Sequence, residues 1–431
     1  MSATLIDPKR IRGWTQVRPL RNLGLLAIDY TCVILVTGSA IGFHLAQSAN
    51  DWHWAWLIPV WGLAAFFNGI LQHRIGLMGH EASHYLLVRN RKWNDILADL
   101  LIFYPMFAAL IQYRSKHLGH HLYPNDPERD PNMLGGRAER LYARFPMPKR
   151  SFIYHYYVKF FWPPFVFRNL LDLFQVLSIG SGMAPLARGV AHESPSGTLL
   201  PERDSDPAGA STETTTKSEG SGKKLLPTVL GIVYLVVLTV VIRVSIQSGW
   251  SLALSVGAVW LVAAVVWTFL PQAAFFRGAR LAYDIKYSAL QRLTYHTLMF
   301  YALGAAAFFT GYDPTLAFLV LWIAPLIYVF PYFMLLREIY QHANAGREEL
   351  DNSRVMHADP FTRWAVLGYG NDYHLIHHIY PNIPHDRLPE VHQTLMTESE
   401  EYRTVVDESH GVIKGRAGIP SLLDQLAKGH P

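Results

Sequence analysis

Six apolar stretches dominate what this chain can fold into, because each is close to the roughly 20 residues that a helix needs to cross about 30 Å of hydrocarbon. They run near Leu25 to Ala46, Trp54 to Leu71, Leu225 to Ile246, Ser251 to Leu270, Thr294 to Phe309 and Thr315 to Leu336. Lipid offers the backbone no hydrogen-bond partners, so such segments pair their own N–H and C=O groups as helices. The expected fold is therefore an all-α integral membrane protein with about six transmembrane helices. The composition agrees, with 50% hydrophobic and only 16% charged residues.

The net charge of +5 does not gather into a basic face or a short Lys/Arg-rich run, and no nucleic-acid partner is expected. It follows membrane topology instead. The short connections around Ser48 to Trp52, Gln247 to Trp250 and Gly311 to Pro314 hold no Lys or Arg and should be extracytoplasmic. The opposite ends are basic, with Lys9, Arg10, Arg12, Arg18 and Arg21 before the first stretch and Arg277, Arg280, Lys286 and Arg292 between the fourth and fifth. Both termini should then be cytoplasmic. Arg243, near the outer end of the third stretch, is placed to snorkel toward the interface. The N-terminus lacks a short apolar core followed by a small-residue cleavage site, so no cleaved signal peptide is expected. One cysteine, Cys32, rules out an intrachain disulfide, a thiolate zinc site and an iron–sulfur cluster.

Residues 1–188 would hold the first two membrane helices and a cytoplasmic region, 189–224 a flexible linker containing TETTTKSEGSGKK, 225–336 four membrane helices, and 337–431 a cytoplasmic C-terminal region. Asn94 to Gln112 is also apolar. If it crossed, the histidine clusters flanking it would lie on opposite sides of the membrane, so it reads as a re-entrant or interfacial helix. The aromatic stretch from Phe152 to Phe174, broken by Pro163 and Pro164, reads as an interfacial element.

The histidines are not scattered. His80 and His84 form H-E-A-S-H, His117, His120 and His121 form H-L-G-H-H, and His374, His377 and His378 form H-L-I-H-H. On a helix, residues three and four apart share a face, so each box presents its imidazoles to one region of space. His342, just beyond the sixth stretch in R-E-I-Y-Q-H, is a ninth candidate ligand. Imidazole suits iron, zinc, copper and nickel, and one four-coordinate metal cannot use nine of them, whereas two metals can. H-E-A-S-H also matches the H-E-x-x-H of zinc proteases, with Glu81 as general base, but that reading leaves both H-x-x-H-H boxes unexplained. The other histidines, among them His296, His357, His385, His392 and His410, read as ordinary hydrogen-bonding residues.

H-x-x-x-H followed by two H-x-x-H-H boxes, set between pairs of hydrophobic helices, resembles the membrane fatty-acid desaturase and hydroxylase superfamily. H-L-G-H-H-L-Y-P-N-D-P-E-R-D-P-N from His117 and Y-H-L-I-H-H-I-Y-P-N-I-P-H-D-R-L-P from Tyr373 are similar to bacterial acyl-lipid desaturases and, nearly as much, to carotenoid ketolases and hydroxylases. The resemblance implies two irons in a cytoplasmic cap, held by the eight box histidines and a histidine after the last spanning helix, which His342 matches. It implies O2 as co-substrate and a long acyl or lipid chain as substrate. Six spans and a long linker depart from the four spans of many desaturases.

Metal-bound histidines usually pass their second N–H to a carboxylate or carbonyl, and Glu81, Asp126, Asp130, Glu338, Asn371 and Asp372 are the nearby candidates. Electrons must come from outside, because no dinucleotide fingerprint or cysteine cluster is present; an acidic ferredoxin-like carrier suits the Arg and Lys around the boxes. Desaturation is the leading reaction. A hydroxylase, a ketolase or a decarboxylating relative would use the same ligand set. A metal transporter is the alternative of another class, but it would place its ligands near the middle of the spans.

Overall fold

The computed structural model describes residues 5–132, 145–159, 162, 191–193, 199–201, 221–271, 275, 281–416 and 418–428. Apart from Ala191–Glu193 and Leu199–Pro201, an antiparallel β1–β2 pair, and a helix that begins at Ser221, the expected linker 189–224 lies outside the described residues. So do Arg277, Arg280 and the second half of the aromatic stretch.

Asp7 opens α1 (Pro8–Trp14), its carboxylate accepting the N–H of Lys9 at 2.9 Å. Two long antiparallel helices follow, α2 (Pro19–Ala49) and α3 (Leu57–Ser83), with the first histidine box at the end of α3. Then α4 (Arg91–Ala98) runs into a π-helical turn, Asp99–Phe103, and the chain reverses into α5 (Leu110–Leu122). Thirteen residues from Arg91 to Phe103 span about 20 Å at 1.5 Å each, too little to cross the hydrocarbon. The segment is a hairpin that returns to the side it left, as the re-entrant reading expects.

A short α6 (Lys149–Phe152) precedes α7 (Ser221–Ser248), α8 (Leu252–Phe269) and α9 (Ile285–Thr310). The last long helix is α10 (Thr315–Phe318) joined through a π turn, Leu319–Ile323, to α11 (Ala324–His342). Asn68 and Gln72 of α3 donate their side-chain amides to the carbonyls of Leu321 and Trp322 in that turn, at 2.8 and 2.9 Å, and so fasten α3 to α11. Gly69 makes the approach possible. A Cβ there would stand 2.3 Å from Val329 Cβ.

Among the described residues, five helical segments combine the length and apolar composition of a membrane span: Pro19–Ala49, Trp54–Ser83, Val229–Ser248, Leu252–Phe269 and Thr315–His342. The expected fifth stretch lies in α9, which is 26 residues long but diluted by polar groups. Those groups face neighbouring helices. Thr294 accepts from Trp260 Nε1 at 3.0 Å, Thr297 pairs with Tyr234, and His296 Nε2 meets the Tyr104 carbonyl at 3.0 Å. Nε2 of His120 and Nε2 of His342 sit 3.1 Å apart, so both lie at one end of the bundle.

The end of the bundle that carries the histidines is capped by the C-terminal region: β3 (Val355–His357), α12 (Pro360–Ala365), α13 (His374–Ile379), α14 (Leu388–Glu398), α15 (Glu400–Val405), β4 (Glu408–His410), parallel to β3, and α16 (Leu422–Ala427). Ile6 and Trp14 of the N-terminal segment are buried in this cap with Leu375, Ile376, Val391 and Leu395. Arg10 pairs with Glu398 at 2.5 Å and Arg18 with Asp386 at 3.0 Å. The N-terminal helix and the C-terminal region thus lie together on the side of the histidines.

Candidate metal centre

The end of α3 presents His80 and His84, α5 presents His117, His120 and His121, the last turn of α11 presents His342, and α13 presents His374, His377 and His378. All nine converge in one buried volume. They fall into two groups, His80, His84, His117, His121 and His377 in one, and His120, His342, His374 and His378 in the other, with the ligand nitrogens of each group within 4.8 Å of one another. The groups adjoin: the rings of His121 and His378 stack with centroids 4.3 Å apart.

Helical periodicity explains the division. In each H-x-x-H-H box the first and last histidines, four residues apart, share a face and enter the same group. The middle one, 100° of helix rotation from its neighbour, enters the other.

The nitrogens face each other in a way that hydrogen bonding alone satisfies poorly. Nε2 of His84 lies 2.8 Å from Nε2 of His117, which lies 3.1 Å from Nε2 of His121, itself 3.1 Å from Nε2 of His377. A neutral ring nitrogen holds one hydrogen or one lone pair, so His117 and His121 cannot each make two full hydrogen bonds through that single atom. Nε2 of His80 is buried with no hydrogen-bond partner among the described residues. A cation that accepts a lone pair from every ring removes both difficulties, and the donor set fits a pair of transition metals.

Burial and mutual repulsion keep these imidazoles neutral. Burial, then the nearby His80, pulls His84 down to about 3, and His117, His121, His374, His377 and His378 are pushed well below the ordinary histidine range by burial and by one another. His120 is the exception. Burial works to lower it, but the Asp130 carboxylate outweighs burial and raises it.

Asp130 is the clearest supporting residue. Its Oδ2 meets His120 Nδ1 at 2.8 Å and accepts the Asn125 N–H at 2.9 Å, while Oδ1 accepts the Asn132 N–H. Such a carboxylate fixes the ring and directs Nε2 into the site. Asp130→Asn should therefore lower metal content or turnover by about 10- to 100-fold, measured on purified protein. Unchanged values for both would remove that role.

Glu81 lies 3.5 Å from His80 Nδ1 and accepts from the backbone N–H of His385 at 3.1 Å. His385 is a supporting residue that sequence reasoning passed over, although it follows the third box in Y-P-N-I-P-H. Gly370, at φ +70°, lets the His385 backbone come close, since a Cβ there would stand 2.6 Å from its carbonyl oxygen. His342 passes its Nδ1–H to the backbone carbonyl of Asn352 at 2.9 Å, a partner that leaves no trace in side-chain pattern. Glu338 accepts from Asn132 Nδ2 at 2.6 Å and lies 3.4 Å from Arg337 Nη2.

The hydrogen bonds found for the other three candidates lead away from the histidines. Asp126 closes its own turn by accepting from Glu128 N, Arg129 N and Arg129 Nε. Asn371 accepts from Gln341, and Asp372 pairs with Arg363 at 2.9 Å. Sequence proximity put them near the boxes; backbone direction turned their side chains elsewhere.

The sequence was compared with known proteins. A dihydrorhizobitoxine desaturase of Bradyrhizobium elkanii is 33% identical over 139 residues, 32% of this chain and 36% of that protein. A protein named Delta(9) fatty acid conjugase-like enzyme, of Dimorphotheca sinuata, is 29% identical over 90 residues, 20% of this chain and 24% of that one. The matched part thus spans about a third and a quarter of these two relatives. The profile of the family described as fatty acid desaturase matches residues 18–195 and 249–410, which takes in all three boxes, His342 and most of the membrane helices. By that extent of match this multi-pass membrane protein belongs to the fatty acid desaturase family.

Proposed function

We propose that this chain is an O2-dependent di-iron oxidoreductase that introduces a double bond into a long acyl or lipid chain, with electrons supplied by an external carrier. The observation that supports it most is the gathering of nine imidazoles into adjoining groups of five and four at the ends of α3 and α11. His80, His84, His117, His121 and His377 would hold one iron, and His120, His342, His374 and His378 the other. Bound there, two irons supply an oxidant derived from O2, which the removal of hydrogen from an unactivated methylene requires and no side chain can provide.

The residues of the chain do the rest. Burial keeps the ring lone pairs free of protons, Asp130 and the Asn352 carbonyl hold His120 and His342 in the tautomer that points Nε2 inward, and Glu81 braces His80 from behind. A lipid chain lying along α3 or α11 reaches the histidines without leaving the apolar phase. Ligands in the final turns of the spans suit catalysis on a membrane substrate; transport would need them near the midplane.

The relatives' names favour desaturation over oxygen insertion. Lipid mass spectrometry after expression in a host lacking the activity should find products lighter by two hydrogens, and products heavier by one oxygen would make the enzyme a hydroxylase. Metal analysis should give about two irons per chain, from the ligand count. One zinc and no iron would end the di-iron reading. The carrier we propose is an acidic, ferredoxin-like protein, docking on the cytoplasmic face where both termini and the histidines lie. Tags on the two termini should then be reachable only from the cytoplasm.

A further inference from the structure

We propose that His357, His392 and Glu408 form a third metal site, which takes one zinc-like divalent cation apart from the nine-histidine centre. The three residues come from three elements. His357 ends β3, Glu408 begins the parallel strand β4, and His392 lies on α14. Nε2 of His357 stands 2.9 Å and Nε2 of His392 3.3 Å from the same oxygen, Glu408 Oε1. All three ligand atoms lie within 4.8 Å of one another. Two ligands each about 2.1 Å from a tetrahedral zinc are roughly 3.4 Å apart, so small side-chain rotations suffice to place a cation between them.

The donor chemistry fits. Two imidazoles and one carboxylate are a zinc ligand set, and a fourth position remains for water. Solvent reaches it: the side chains of His357 and Glu408 are 33% and 20% exposed, while that of His392 is 7% exposed. His392 is aimed from behind, since its Nδ1 meets the hydroxyl of the buried Tyr402 at 2.8 Å, the supporting contact expected of a metal-bound histidine. The His410 ring stacks on that of His357 with centroids 6.3 Å apart, and its buried Nδ1 has no hydrogen-bond partner among the described residues.

The location gives the cation a task. Met356 N, next to His357, donates to the Asp372 carbonyl at 2.8 Å, and Val355 bridges to Tyr373, immediately before the third histidine box. The Tyr373 ring packs against His392 with centroids 5.5 Å apart. A metal joining β3, α14 and β4 would brace the strand and helix on either side of that box. Without a metal, the same three residues form a hydrogen-bonded triad in which both histidines donate to one carboxylate oxygen.

The two cases separate by metal counting. Full-length protein loaded with iron is equilibrated with zinc alone, then freed of unbound metal, in the wild type and in the His392→Ala and Glu408→Gln variants. The wild type should hold about one more zinc per chain than either variant, with the same iron content; equal zinc in all three overturns the proposal. The difference is read whatever fills the nine-histidine group, because the variants leave that group intact. X-ray absorption at the zinc edge on the wild type covers a variant that fails to fold. Zinc bound by two imidazoles together with oxygen at about 2.0–2.2 Å supports the site. Zinc with no imidazole, or with imidazoles only, overturns it.

Discussion

Replacing His120 with alanine is expected to abolish product formation and to empty at least one metal position. Its Nε2 lies 3.1 Å from that of His342, its Nδ1 is held by Asp130, and its group has three other members among the described residues, His342, His374 and His378. The loss of a contact that merely supports a metal ligand costs about 10- to 100-fold, so loss of the ligand itself should leave under about 1% of turnover. His342→Ala should behave alike, because it belongs to the same small group although it stands in no box. Full iron and near-normal product from the His342→Ala protein would remove it from the ligand set and leave the eight box histidines. His385→Ala, which loosens Glu81 without touching a ligand nitrogen, should reduce turnover and keep it measurable.

The largest expected loss of stability comes from Asp95→Ala. Asp95 and Arg114 form a bidentate pair at 2.5 and 3.0 Å, with both side chains at most 1% exposed. Arg114 also donates to the carbonyls of Ala82 and Ser83, at 3.1 and 3.0 Å, at the end of α3, where the next α-helical turn is missing and the Ala82 carbonyl accepts from Asn94 Nδ2 as well. This one side chain therefore ties the first box to the helix that carries the second. Removing Asp95 leaves a buried cation uncompensated, which costs about 3–5 kcal/mol. Thermal unfolding in detergent should show a clear drop in the midpoint, together with weaker metal retention. A loss below about 1 kcal/mol would mean that solvent screens the pair as it does at a surface. Pairing Asp95→Ala with Arg114→Leu should recover part of the loss, since no charge is then stranded.

Much of the membrane architecture was legible beforehand because its cause is local. An apolar run of about 20 residues can satisfy its backbone in lipid only as a helix, whatever surrounds it. The Thr294 to Phe309 stretch was named with the others, but α9, which contains it, falls short of the apolar composition of the five candidate spans. Thr294, His296 and Thr297 lower the apolar character of α9, and only the packed bundle shows that Trp260, the Tyr104 carbonyl and Tyr234 take up those groups. The re-entrant hairpin could be argued from the need to keep the boxes on one side; its shortness became visible once the helix ended at Phe103.

The nine histidines were likewise legible, since spacings of three and four residues place side chains on one helical face without tertiary help. Their allotment to two groups was not. Spacing says that His117 and His121 act together, but only the packing of α3, α5, α11 and α13 decides that His377 joins them while His342 joins His120. The supporting shell divides the same way. Asp130 lies close enough in sequence to be named in advance, whereas Asn352 contributes a backbone carbonyl and His385 reaches Glu81 across 304 positions of chain. The most hidden feature is the group of His357, His392 and Glu408, three unremarkable residues in sequence, gathered because a parallel strand pair sets β4 beside β3. Sequence alone determined the membrane helices and the ligand-bearing faces, because backbone hydrogen bonding and helical periodicity are short-range. Tertiary structure decided which faces meet, because that depends on close packing between helices distant in the chain.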